Sequence, residues 1–250
     1  MPSVPMATLS WPRDAIFHHF VSFALEAGNP ATDPVTFHAG ATANFPDSAG
    51  SAVLSLAGDA GDVMVVAATV RFTFNPAGSV NPAGSYKPSG FTHVGSVTHF
   101  DGVNRWHMTS VWVRLLASTV TSVTVPDPGH QPTALVRSKA AGITLRGLPG
   151  LTYASTITTD HLTGGTQGAP VTPTLPDVTA RHYTGICVSG IRNNFPNGIY
   201  ATGTGWATYS VSAGDNATDI AYLLEGYGPP PNPTGGYRWG LGYGPRKPGY

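Results

Sequence analysis

The chain has 250 residues, room for one large β domain or two small ones. Thirteen basic and thirteen acidic side chains cancel, and charged residues make up 10% of the chain, against about 25% in ordinary soluble domains. That balance speaks against a basic face for nucleic acid, and so few charges suit a surface largely covered by neighbours. The single cysteine, Cys187, rules out a disulfide within the chain; in Ile186-Cys187-Val188 it reads as a small buried hydrophobe.

The chain opens with a proline-punctuated stretch without periodicity, read as an N-terminal arm over residues 1–15. No basic segment leads into an apolar core there, so synthesis in a cytoplasm without a conventional leader is expected. In Ile16–Leu25, Phe17, Val21, Phe23 and Leu25 share a strand face with His19; a helix from Asp14 to Ala27, stopped by Gly28, is the open alternative. Asn29-Pro30 and Asp33-Pro34 mark a loop. Val35–Ala39 and Ala52–Leu56 are short strand candidates. Gly58-Asp59-Ala60-Gly61-Asp62 is a turn into Val63–Val70, where β-branched residues run without alternation, the pattern of a strand buried on both faces. That run is too short to cross a bilayer. Asn75-Pro76-Ala77-Gly78-Ser79 repeats as Asn81-Pro82-Ala83-Gly84-Ser85, a loop of two turns.

Phe91–His99, Arg105–Leu116 and Val120–Val125 read as three successive strands, with Asp101-Gly102 as a hairpin turn. The middle strand is apolar on both faces: Trp106, Met108, Trp112 and Leu116 on one, Val111, Val113 and Leu115 on the other. It should therefore lie between two layers. Ala134–Lys139, Ile143–Leu148, an edge at Thr152–Thr159, Tyr183–Ile191, Trp206–Val211 and Ile220–Tyr227 follow, and Gly164–Pro176 and Asn193–Gly198 are turn- and loop-forming. With 31 Gly and 23 Pro, the composition fits many short strands joined by tight turns. A faint internal repeat is visible. The Val63 strand is followed by Gly90-Phe91-Thr92 and a strand carrying Trp112; the Tyr183 strand is followed by Gly205-Trp206-Ala207 and a strand carrying Tyr222. The expected fold is all-β, an antiparallel jelly-roll-like β-sandwich over residues 16–227, with extended arms at both ends.

From Gly226 the composition changes to 8 Gly, 6 Pro, 4 Tyr and 1 Trp in 25 residues, and Gly226-Tyr227-Gly228-Pro229 recurs as Gly242-Tyr243-Gly244-Pro245. Arg238, Arg246 and Lys247 give this stretch +3 and leave the body at −3. Ordering backbone costs about 1–2 kcal/mol per residue, more than such a segment can recover by burying itself. Residues 228–250 are therefore read as a C-terminal arm that docks on a neighbouring chain, with folding back on its own sandwich as the alternative. The contact residues expected from the two arms are Trp11, Tyr227, Tyr237, Arg238, Trp239, Tyr243, Arg246 and Tyr250.

Catalytic signatures are missing. There is no nucleophile elbow, phosphate-binding glycine loop or paired zinc-ligand motif. His93, His99 and His107 fall on neighbouring strands with Asp101 at their hairpin, yet no metal signature accompanies them, and no metal or cofactor is expected. Only Glu26 and Glu225 are glutamates, and the aspartates sit mostly in turns.

Three segments carry a family likeness: Ala60-Gly61-Asp62-Val63-Met64-Val65-Val66, Gly90-Phe91-Thr92-His93-Val94-Gly95 and Ser110-Val111-Trp112-Val113-Arg114. Together they resemble a β-sandwich module in minor tail proteins of phages that infect actinomycetes (mycobacteriophage-like). There an Ala-Gly-Asp turn opens a buried strand, Gly-aromatic-Thr the next, and an aromatic-x-Arg strand follows. Pro176-Asp177-Val178-Thr179-Ala180 continues the likeness, which spans about Ala57–Tyr227. The resemblance implies a virion structural protein, a minor tail protein of the tail tip, and no enzyme. Its partners would be other virion proteins and copies of itself, without nucleic acid or membrane insertion. A carbohydrate- or receptor-binding module for a host-surface glycan, or a head decoration protein, is the alternative.

Overall fold

The computed structural model describes residues 17–46, 48–100, 106–129, 138–153, 157–163, 182–192, 197–202, 206–212, 216–227 and 234–239. Its elements are all strands: β1 (Phe17–Glu26), β2 (Thr36–Asn44), β3 (Ala52–Leu54), β4 (Val63–Phe72), β5 (Thr92–Phe100), β6 (Trp106–Leu115), β7 (Val123–Val125), β8 (Lys139–Arg146), β9 (Thr158–Thr163), β10 (His182–Arg192), β11 (Asn197–Thr202), β12 (Trp206–Ser212), β13 (Asn216–Tyr227) and β14 (Thr234–Trp239).

Two five-stranded antiparallel sheets face each other, one ordered β12-β13-β10-β1-β9 and the other β2-β8-β4-β6-β5. Their strands stack in matching order: β13 against β8 and β4, β10 against β4 and β6, β1 against β6 and β5. The fold is thus an all-β antiparallel sandwich. Val21, Phe23 and Leu25 of β1 and Ile186 and Val188 of β10 meet Val63, Val65, Val111, Val113 and Ile143 of the opposite sheet, and all are fully buried. At about 1.5–3 kcal/mol per large apolar side chain taken from water, this layer supplies the main drive for the two sheets to close.

A second apolar cluster explains why β4 shows no alternation. Its other face carries Met64, Val66, Ala68, Val70 and Phe72, packed with Met108, Trp112, Leu54, Leu56, Val125, Tyr86 and Phe91. The cover is a two-stranded ribbon, β3 with β7, joined by the loop between β4 and β5. All ten residues of β4 are therefore buried. The last of the three successive strands, read at Val120–Val125, is shorter in the structure and pairs with β3 as β7, building this ribbon.

The tandem Asn-Pro-Ala-Gly-Ser motif behaves as two turns. Asn75 Oδ1 accepts from the Ala77 N–H at 2.9 Å and Asn81 Oδ1 from the Ala83 N–H at 3.1 Å. The loop is not simply presented outward: it drives Tyr86 into the second cluster, edge-on to Trp112 at 5.0 Å, and Pro82 O accepts the Trp112 indole N–H at 2.7 Å. The Tyr86 hydroxyl is buried and has no hydrogen-bond partner among the described residues. Burial without a partner is a desolvation cost, so Tyr86→Phe is expected to keep or raise stability, by up to about 1 kcal/mol, in urea unfolding. A loss of that size would reveal a partner for the hydroxyl.

Residues 17–26 form a strand, not the helix held as its alternative. The strand read at Ile143–Leu148 starts and ends earlier, as β8 (Lys139–Arg146), while residues 134–137 of the strand read at Ala134–Lys139 lie outside the described residues. A side chain at Gly142 would meet Leu56 Cδ2 at 2.7 Å, so the glycine lets the covering layer sit close. Of the stretch expected as an edge, Thr152–Thr159, Tyr153 bridges to Leu25 and Thr158 opens β9, the edge strand of its sheet, while residues 154–156 lie outside the described residues. Neither β11 nor β14 was expected as a strand. They pair antiparallel with each other, and β11 lies against β12 and β13. Six residues of the segment read as a C-terminal arm, 234–239, are thus docked on their own chain through a backbone ladder. The loop at 164–176 and residues 1–15 lie outside the described residues.

The internal repeat has a counterpart in topology. β6 lies between β4 and β5, as β13 lies between β10 and β12.

Candidate functional site

The surface with the clearest contact chemistry is one end of the β4–β6–β5 sheet. The register places Phe72 opposite Trp106 and Trp106 opposite Phe100, so three rings line up across three strands on the same face. Phe74, two residues on from Phe72, packs edge-on to it at 5.3 Å, and the Phe100 and Trp106 ring centroids are 5.0 Å apart. Phe72 is buried and Trp106 half-buried, while Phe74 and Phe100 keep 39% and 38% of their surface in solvent. The inner rings are fixed by the core and the outer rings are open. Such a row offers pre-ordered apolar area to a partner and holds no group that transfers a proton or attacks a carbonyl. A second aromatic group sits where the sandwich edges meet. Phe37 stacks on Tyr222 at 5.3 Å and leans on Tyr209 at 6.0 Å, joining β2 to the opposite sheet.

The segments carrying the family likeness touch one another. Gly61 has a left-handed φ of +91°, which lets the turn deliver Asp62 to the head of β4. Gly90, at φ +78°, turns the chain so that Phe91 enters the core. The Arg114 guanidinium lies over the Phe91 ring at 5.9 Å and donates to Ser89 O at 3.4 Å. Trp112, two residues before Arg114, faces the same layer. These short motifs, far apart in sequence, form one packed neighbourhood.

Asp59 and Asp62 are engaged structurally. Arg146 at the end of β8 donates from Nε to Asp62 Oδ1 at 2.9 Å and through its terminal nitrogen to Asp59 Oδ2 at 2.7 Å. Asp62 Oδ2 also accepts the Asp59 N–H at 2.9 Å. These hydrogen bonds from Arg146 hold the Asp62 carboxyl below its usual 3.8, against the opposing effect of burial. A carboxyl depressed in the folded state adds stability above its unfolded value, and that stability is lost as pH falls through the folded one. Asp62→Asn is therefore expected to flatten the fall in melting temperature below about pH 4. An unchanged acid limb in melts from pH 7 to 2 would assign that fall to other groups.

His38, Asp59 and Asp62 could offer ligand atoms within 4.8 Å of one another, but the Arg146 guanidinium is already bound among them, a cation in the place a metal would take. His99 and His107 stand opposite each other in the β5–β6 ladder. His93 instead bonds Ser96 Oγ at 2.8 Å on its own strand, and burial lowers its pKa from the usual 6.5. The Cys187 thiol is buried, accepts from Ser22 Oγ at 3.4 Å and is pushed up to about 12, so it is a poor nucleophile. A hollow of about 10 Å³ lies between the β1–β2 connection and Tyr183, the size of a single water and far below the roughly 300 Å³ at which small-molecule sites begin.

Of the contact residues expected from the arms, Tyr227 ends β13 opposite His182. Tyr237, Arg238 and Trp239 lie in β14 opposite Ile199, Gly198 and Asn197. Trp11, Tyr243, Arg246 and Tyr250 lie outside the described residues. The structure thus brings three of the eight together on one strand and leaves the aromatic row as the site the sequence reading passed over. The available signal was the placing of Phe100 and Trp106 on either side of the Asp101-Gly102 turn.

The fold is an all-β sandwich that carries an open row of aromatic rings at one end of a sheet. The chain matches no protein-family model, no curated protein and no solved structure.

Proposed function

We propose that this chain is a structural protein of a phage virion, a minor tail protein at the tail tip that acts through contacts with other virion proteins and with its own copies. The observation that carries the reading is the aromatic row: two open phenylalanines braced by Trp106 and Phe72 on a body with 10% charged residues. Ordered apolar rings at the centre of a patch are the usual source of interface affinity. A surface poor in charge has little to hold copies apart. The packed neighbourhood of Asp62, Gly90, Phe91, Trp112 and Arg114 supports the likeness to the actinobacteriophage tail module. No reaction chemistry is required of the chain, and it would be assembled into particles in the host cytoplasm.

Immunogold labelling of purified particles tests this. Label at the tail tip is the expected result; label on the head would move the protein to a decoration role, and absence from the particle would end the reading. Phe74→Ser with Phe100→Ser gives up packing as well as open surface, since the rings keep only 39% and 38% of their area in solvent; at temperatures where urea unfolding shows the variant still folded, incorporation should fall at least about tenfold, the equivalent of 1.4 kcal/mol of contact energy. If the loss falls on glycan-array binding while incorporation is normal, the surface serves a host sugar.

A further inference from the structure

We propose that β1 is an exchangeable strand, and that copies of this chain join by inserting β1 of one into the β9–β10 gap of another. The inference comes from the order in which the chain visits its sheets. When β5-β6-β4-β8-β2 is laid against β12-β13-β10-β1-β9, the two sheets have the same plan. In one, the strand flanking β4 is β8, which follows β6 along the chain. In the other, the strand flanking β10 is β1, which comes from the opposite end of the sequence. Every other strand of that sheet lies C-terminal to residue 157.

β1 is central to the sheet it completes. It pairs along all ten residues with β10 and along six with β9. Its contact partners are remote in sequence, with Ser22 and Cys187 separated by 165 positions. Between β1 and β2 lie only residues 27–35. They are folded into a turn in which Asn29 O accepts the Asp33 N–H at 2.7 Å and Asn29 Oδ1 the Ala31 N–H at 3.0 Å. Opened out, nine residues reach about 30 Å, three times the spacing of about 10 Å between packed sheets. The same connection that crosses the sandwich can therefore carry β1 to a neighbour.

Synthesis favours the exchange. β9 begins 132 residues after β1 ends. At about 5–20 residues per second, β1 waits on the order of ten seconds for its own partners. Meanwhile β2 to β8 supply the whole of the other sheet. An apolar strand in that interval can complete a second copy whose gap is open. The exchanged and closed forms contain the same ladders and the same inter-sheet core, so they differ only in the connection and in the freedom lost on association. High local concentration then decides between them. This inference does not depend on which particle the chain serves.

The ladder supplies its own reporter. Ser22 and Cys187 are directly opposed, with Oγ and Sγ 3.4 Å apart, close enough for Ser22→Cys to form a disulfide after mild oxidation. The full chain carrying Ser22→Cys is run without reductant. Disulfide-linked dimers or a ladder of higher species are expected; monomers with both thiols consumed would overturn the proposal. Free thiols would overturn it too, since the β1–β10 register it rests on would be absent. Co-synthesis of a tagged Ser22→Cys, Cys187→Ser chain with the untagged parent chain removes every intrachain pairing. A tagged–untagged cross-link then requires exchange, and its absence refutes exchange.

Discussion

Trp112→Ala is expected to cost about 3–5 kcal/mol, the range for deleting a large buried aromatic, and so to consume a large share of the 5–15 kcal/mol that holds a typical domain. Trp112 is fully buried on the outer face of β6, between Met64 and Phe91's layer and the loop that carries Tyr86. Its loss has two parts. The indole volume is vacated beneath the loop, and Pro82 O loses the N–H bonded to it at 2.7 Å. Trp112→Phe separates them: it keeps most of the ring against Tyr86 and gives up the hydrogen bond, for about 1 kcal/mol plus a smaller packing loss. Urea unfolding of the two variants gives both terms. If alanine costs less than about 1 kcal/mol, the loop does not close on this ring.

Gly190→Val should be nearly as damaging, for the opposite reason. Gly190 of β10 faces the other sheet, and a β-carbon there would run into Thr109 Oγ1 and come within 2.5 Å of Thr69 Oγ1. Those hydroxyls bond each other at 3.1 Å inside the sandwich. The sheets would have to part locally, and overfilling a packed interior costs about 1–3 kcal/mol or more. The cause can be isolated by a double-mutant cycle of Gly190→Ala with Thr109→Ala. Removing the hydroxyl should recover part of the alanine penalty, an interaction of at least about 0.5 kcal/mol. Strict additivity would mean the close approach is relieved elsewhere.

Much of the sandwich is written in local pattern. The unbroken β-branched run of β4 announces burial on both sides, and the two apolar faces of β6 do the same. Both lie between two layers because each is covered twice. β11 and β14 were not legible. Asn-Gly-Ile-Tyr-Ala-Thr and Thr-Gly-Gly-Tyr-Arg-Trp are glycine-bearing hexamers with weak strand preference, and they become strands by pairing with one another across more than thirty residues. The Asp62–Arg146 pair was half legible. The turn that presents Asp62 can be read locally, but its partner lies 84 residues away and becomes a neighbour only through β8. The aromatic row needs the register of the β5–β6 hairpin. A two-residue turn at Asp101-Gly102 would set Phe100 against Val103, whereas the observed ladder sets it against Trp106.

Because both sides of β4 are dry, inside versus outside cannot tell that strand where to stop sliding. A shift by one position would exchange one oily side for another, with no side chain sent into water. What distinguishes the two sides is bulk and polarity: Val63, Val65 and Ala67 look into the narrow gap between sheets, while Met64 and Phe72 fill the roomier layer beneath the ribbon. Slippage would jam the gap and pull Asp62 from the arginine that clasps it, so the strand's alignment is set by steric fit along its length and by one charged clasp at its head.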